Sequence, residues 1–289
     1  MRTGLRIALA TVVVLGAAVL LARRTGERGT VKPDVPTASP IRVLPPDSAI
    51  TGPVLTDTTV GAYRIRVLQD TGAGDKIVDI LENGHRVYAL RAADARLEAV
   101  GRDITGGRVP NLVVQTFSGG IHCCAQATVF GLGPALTTLG TIDGADGDIV
   151  FEDQDGDGVP EVKIGDFRFA YWRDYSFAET PVPDVVLAWR QGAYRPACDL
   201  MKEDAPTPSA LNRKQRQLTQ GWTVGDPPPG FWGYAVDLIY QGHADLGWRF
   251  LDRGWPASIE GKETFLKDLR EHLRGSPCWN PPDEGPPVG

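Results

Sequence analysis

Asp153-Gln154-Asp155-Gly156-Asp157-Gly158-Val159-Pro160-Glu161 places four carboxylates within one short loop, the first three at alternate positions. This is how a chain wraps a hard cation in oxygen ligands. Calcium takes about six to eight oxygens, and Asp at loop positions 1, 3 and 5 brings several of them to one ion. Gly158 at position 6 permits a sharp turn, the carbonyl of Val159 at position 7 is available as a backbone ligand, and Glu161 at position 9 adds a fourth carboxylate, directly or through water. The flanks are strand-like: Val150-Phe151 precede the loop and Val162-Lys163-Ile164 follow it. An EF-hand needs helices on both sides and a bidentate Glu at position 12, where Ile164 stands, so that reading fails. The alternative for the same residues is an acidic surface turn without an ion.

Working outward, the loop has a second copy. Asp103-Ile-Thr-Gly-Gly-Arg-Val-Pro-Asn-Leu-Val-Val-Gln-Thr-Phe117 aligns without gaps on Asp153-Gln-Asp-Gly-Asp-Gly-Val-Pro-Glu-Val-Lys-Ile-Gly-Asp-Phe167. Asp, Gly, Val, Pro and Phe coincide at corresponding positions, and Leu112 and Val114 match Val162 and Ile164 in the strand that follows. A loop leading into a strand and recurring at a fixed spacing is a repeat signature. In the earlier copy Thr105 and Gly107 replace two carboxylates, leaving Asp103 and Asn111 as candidate side-chain ligands.

The D-x-D-G-D-G-x-x-E stretch at 153–161 with its following strand, and the degenerate D-x-T-G-G-x-x-P-N copy at 103–111, resemble the FG-GAP/VCBS repeats of integrin-like β-propellers and bacterial surface proteins. The likeness covers roughly residues 100–197. It implies a calcium role for Asp153, Asp155, Asp157, Val159 and Glu161, and carries none onto the earlier copy. Two repeat units and about nine predicted strands are too few for a closed propeller, which needs four or more blades of four strands.

Around the repeat, alternation predicts further strands. Tyr63 to Leu68 alternates apolar and polar residues, and Ile77–Leu81 with Arg86–Leu90 reads as a hairpin turned by Asn83-Gly84. Strands are expected at 111–117, 122–131, 136–142, 148–152, 161–167 and 185–189. After Cys198 the period changes: helices are expected at 209–220, through Phe231 to Ile239, over His243–Leu251, and from Ile259. The expected fold class is α+β: an N-terminal membrane helix (1–24), a Pro-rich linker (25–60), an antiparallel meander or sandwich-like β-domain (61–197) and a small helical C-terminal region (198–289).

Ile7 to Ala22 lacks charge, follows Arg2 and Arg6, and is followed by Arg23 and Arg24, which fits an uncleaved signal anchor better than a cleaved leader. The positive flank after the run favours a cytoplasmic C-terminal side, whereas the cysteines and the calcium-type loop favour export. The expected location is a single-pass membrane protein with its folded part outside the cytoplasm. A net charge of −6 without a basic stripe argues against nucleic-acid binding.

Ser118-Gly119-Gly120-Ile121-His122-Cys123-Cys124 is the second unusual stretch, with Gly119-Gly120 as the expected hairpin turn. Disulfides among Cys123, Cys124, Cys198 and Cys278 are favoured, in any of three connectivities. The competing reading is a thiol- or metal-dependent enzyme centred on His122, Cys123 and Cys124, although G-x-S-x-G, H-E-x-x-H, P-loop and Rossmann patterns are absent. A third reading makes the tryptophan-rich helical region an adaptor for a partner protein, visible as an exposed aromatic patch over 229–273. The leading expectation is a membrane-anchored, non-enzymatic binding or structural protein with one bound Ca2+, acting on a protein or cell-envelope partner.

Overall fold

Period-two patterning dominates the first two thirds of the folded region, and it builds three antiparallel sheets in succession. The computed structural model describes residues 41–120 and 123–279, Cys123 by its backbone alone; these belong to one compact unit, Pro36–Gly289. The expected membrane helix at 1–24 lies outside the described residues, among which no helix is long and apolar enough to cross a membrane.

Sheet 1 comprises β1 (Arg42–Val43), β2 (Val54–Val60), β3 (Tyr63–Gln69), β4 (Lys76–Glu82) and β5 (His85–Ala92), ordered β1-β5-β4-β3-β2. Sheet 2 is the meander β6 (Asp94–Glu98), β7 (Asn111–Gly120), β8 (Cys123–Leu132) and β9 (Leu136–Ala145). Sheet 3 is the meander β10 (Val150–Glu152), β11 (Glu161–Gly165), β12 (Asp184–Arg190) and β13 (Ala193–Pro196). Asn83 and Gly84, at φ 50° and 85°, make the β4–β5 connection, the positive-φ pair that a two-residue hairpin turn demands.

Alternation along β7 puts sheet 2 in the middle of the stack. Leu112 and Val114 join Tyr63, Ile65, Val78 and Ile80 in a core shared with sheet 1. Val113, on the opposite face, joins Val129, Ile142 and Val162 in a core shared with sheet 3. A sheet covered on both sides reads as a continuous apolar run, which is why β7 is buried from Asn111 to Thr116.

The outer side of sheet 3 carries the helices α1 (Pro208–Leu218), α2 (Pro229–Tyr240), α3 (Ala244–Gly254) and α4 (Lys262–Leu273). Thr207 caps α1, its hydroxyl accepting from Ala210 N–H, with Pro208 just inside. Val185, Val186 and Ala188 of β12 bury against Trp232, Phe265 and Leu269. The boundary expected at 197–198 therefore does not separate two cores: helices and sheet 3 share one. Trp222, Trp232, Trp248 and Trp255 are buried, and no exposed large apolar residue among those described lies in 229–273. The aromatic patch required by the adaptor reading is not there.

Two further expectations change. The segment 41–60, read as linker, contributes β1 and β2, so sheet 1 begins inside it. Arg86 also donates to the carbonyls of Pro46 and Ser48, fastening the connection between those strands to β5. Gly119-Gly120 is not the β7–β8 turn: Gly120 pairs with Cys123 after a register shift, so the connection is residues 121–122, outside the described set. Gly119, at φ 83°, sits in the bulge where a Cβ would meet Ala93 at 2.9 Å.

Candidate metal centre

Both repeat copies lead into the second strand of their sheets: 103–110 is the later part of the connection between the first and second strands of sheet 2, and 153–160 is the whole of that connection in sheet 3. The backbone turns through positive φ at the same two positions of each loop. Gly106 and Gly156 have φ 70° and 80°; Arg108 and Gly158 have φ 58° and 89°. Asp103 accepts from Thr105 N–H (3.0 Å) and Arg108 N–H (2.6 Å), as Asp153 accepts from Gly156 N–H (2.8 Å) and Gly158 N–H (3.0 Å). At the ninth position, Asn111 Oδ1 accepts from Ile104 N–H (2.8 Å) and Glu161 Oε2 from Gln154 N–H (3.0 Å). The first carboxylate thus organises the turn in both loops.

The copies differ in the charge this scaffold gathers. In the second loop, ligand oxygens of Asp153, Asp155 and Glu161 all lie within 4.8 Å of one another. Glu161 is 4% exposed, at the start of β11. Among the described residues no cationic side chain forms an ion pair with any of the three; Arg190, whose charge reaches Glu161 and Asp155, is itself held by Asp199 at 2.7 Å. A buried carboxylate facing two others in an all-oxygen donor set suits a hard cation, which would offset their repulsion.

Asp157 stands apart from this cluster: its Oδ1 accepts from Val159 N–H at 2.7 Å, and Asp155 Oδ1 accepts from Asp157 N–H at 3.1 Å. Of the predicted ligands, then, three converge, Asp157 caps the turn, and Val159 enters through its N–H. In the first loop, burial pushes Asp103 up, but the backbone N–H groups of Thr105, Arg108 and Gly106 outweigh it and hold the carboxyl below its usual range. Asn111 supplies an amide where Glu161 supplies charge, and its Nδ2 is buried without a hydrogen-bond partner.

The loops also touch. A Cβ on Gly106 would stand 3.3 Å from Val159 Cγ2, whereas one on Gly156 would meet nothing within 4 Å. Gly156→Ala is expected to cost about 1 kcal/mol through its positive φ alone, and Gly106→Ala a further fraction from crowding. Urea denaturation of the two variants checks this order.

Of the cysteines, Cys198 and Cys278 form a disulfide across a sequence separation of 80, and Cys124 is disulfide-bonded as well. A disulfide sulfur is neither a thiolate nucleophile nor a metal ligand, so the enzyme reading loses Cys124. His122 lies outside the described residues.

Compared with known proteins, the chain matches no family model and no curated protein sequence.

One titratable residue escaped the sequence reading. Asp237 is the only charged residue of α2, in the segment Phe231-Trp-Gly-Tyr-Ala-Val-Asp-Leu-Ile-Tyr240, and that isolation was the available signal. Burial, then the charge of Asp184, pushes its carboxyl up to about 6. A carboxyl raised in the folded state disfavours folding as pH rises from its unfolded value through 6. Asp237→Asn is therefore expected to stabilise the protein at pH 7.5 by on the order of 2 kcal/mol, and to do little at pH 4. Thermal melts at both pH values measure it.

Proposed function

We propose that this chain is a non-enzymatic, extracytoplasmic binding or structural protein whose β-repeat region is stabilised by one calcium ion at Asp153, Asp155 and Glu161. The observation that carries the reading is the convergence of three carboxylates, one of them buried, on a loop whose backbone matches a second loop that lacks the charge. Calcium would supply positive charge at that point and link ion binding to folding. Asp153 holds the turn closed, and Asp155 inside the loop and Glu161 at its end bring their oxygens within reach of one another.

The repeat leads into the second strand of successive four-stranded meanders, which supports the proposed FG-GAP/VCBS-like character. The Cys198–Cys278 disulfide supports an oxidising compartment. Anchorage through the apolar segment 7–22 and a partner in the cell envelope complete the proposal.

Titration calorimetry of the full chain tests it. One calcium per chain is expected, and none for Asp153→Asn with Asp155→Asn. Two ions would assign binding to the 103–111 loop as well; no binding would remove the reading.

A further inference from the structure

Helices α1 and α3 leave a groove of about 230 Å³ between them, lined by Leu211 and Gln215 on one side and by Leu246, Arg249, Phe250 and Arg253 on the other. Phe250 is buried and Leu211 and Leu246 are half-buried, so the floor is hydrocarbon. α1 buries none of its residues fully, and Gln215 Nε2, donating to the Phe250 carbonyl at 2.9 Å, ties it to α3. The volume falls below that of small-molecule sites and suits one or two apolar side chains of a peptide.

Arg249 and Arg253 stand one turn apart along the groove, both exposed, and neither forms a hydrogen bond or ion pair among the described residues. Like charges at this spacing repel. Guanidinium groups beside hydrocarbon, in a chain of net charge −6, match carboxylates carried on an apolar segment.

The chain itself holds such a segment. Trp279, the last of the described residues, packs edge-on against Trp248 of α3 with ring centroids 5.8 Å apart, and Asn280-Pro-Pro-Asp283-Glu284-Gly-Pro-Pro-Val288 follows it. A helix advances about 100° per residue. Taken from Trp248, the exposed side of α3 therefore presents Asp252 and Asp245 first, then Arg249 and Arg253, then Leu246 and Phe250 at the groove. The segment has the matching order: uncharged Asn280-Pro281-Pro282 for the carboxylates, Asp283 and Glu284 for the arginines, and Pro286, Pro287 and Val288 for the hydrocarbon. Asp283 lies four residues beyond Trp279, about 12 Å in an extended proline-rich chain, enough to cross a helix about 10 Å wide. We propose that the groove is the docking site for this acidic, proline-rich segment of the same chain. Proline-rich segments lose little entropy on docking, because their rings already restrict the chain. Attachment at Trp279 makes the contact intramolecular, at an effective concentration of about millimolar. Docking here is independent of the calcium loop.

Carbodiimide coupling of the full chain tests it. Arg249→Lys with Arg253→Lys keeps both charges and supplies amines that condense with a carboxylate to an amide, releasing water to the reagent. Peptide mapping by mass spectrometry is expected to find position 249 or 253 joined to Asp283 or Glu284 within one chain, at about ten times the yield of joints from the same carboxylates to Lys267, which is exposed on α4. Leu246→Asn, which removes part of the apolar floor, should lower that yield about tenfold. Both arginines are exposed, so either single variant serves if the double one fails to fold. Coupling to Lys267 as readily as to positions 249 and 253, or no coupling at those positions, overturns the proposal. A yield unchanged by Leu246→Asn overturns it as well, since charge attraction alone would then explain the joint. In a mixture of isotope-labelled and unlabelled chains, joints between the two would place the segment on a second copy and overturn docking within one chain.

Discussion

Millimolar calcium is expected to raise the melting temperature of the full chain by about 5–10 °C, and chelation to reverse the rise. The magnitude follows from linkage: an ion that binds only the folded state at about 100 times its Kd adds about 2.7 kcal/mol, and for a folded region of this size each kcal/mol shifts melting by about 2–4 °C. Asp155→Ala with Asp157→Ala should abolish the response. The geometry separates the two: Asp155 belongs to the converging carboxylates, while Asp157 is turned onto Val159 N–H. Asp155→Ala alone should therefore remove most of the shift and Asp157→Ala alone should leave much of it. Glu161→Gln gives the opposite sign without calcium. It keeps an acceptor for Gln154 N–H and removes a buried charge that two neighbours repel, so the calcium-free protein should gain stability while losing its response. Melting curves identical in calcium and chelator would sink the metal reading.

Replacing Cys198 and Cys278 together by serine should cost about 4.5 kcal/mol, the chain-entropy estimate for a cross-link closing a loop of this length. The bond runs from the segment after β13 to the segment after α4 and so encloses all four helices. In the unfolded chain it holds together two points that would otherwise be far apart. In the folded protein it fastens the C-terminal end near Met201, beside the core shared by sheet 3 and the helices. Guanidinium denaturation of the double variant measures the loss, and the double change leaves no unpaired thiol to form new bonds. A loss below about 1 kcal/mol would mean that the denatured chain is already held compact at these points.

What could be read from the sequence was local. The Asn83-Gly84 turn and Gly158 in the 153–161 loop each depend on a few adjacent residues whose own sterics fix the backbone. The same is true of the repeat, whose two loops were legible because the turn-forming Asp and Gly recur even where the carboxylates do not. Strand β2 shows the limit. Val54-Leu-Thr-Asp-Thr-Thr-Val60 is an edge strand exposed at most positions, so no face is buried and no apolar alternation marks it; pairing with β3 holds it in place.

The sequence by itself determined the period of the elements that bury one face, the doubled loop and the acidic character of its second copy, because these follow from neighbours along the chain. Only the tertiary structure decided that three sheets stack with the second buried on both faces, that the helices share a core with sheet 3, and that Asp153, Asp155 and Glu161 converge while Asp157 does not. It alone brought Asp237 of α2 within reach of the charge of Asp184 at the start of β12. Each of these depends on which distant surfaces exclude water from one another, and apolar burial is non-directional, so a list of residues does not specify the partner.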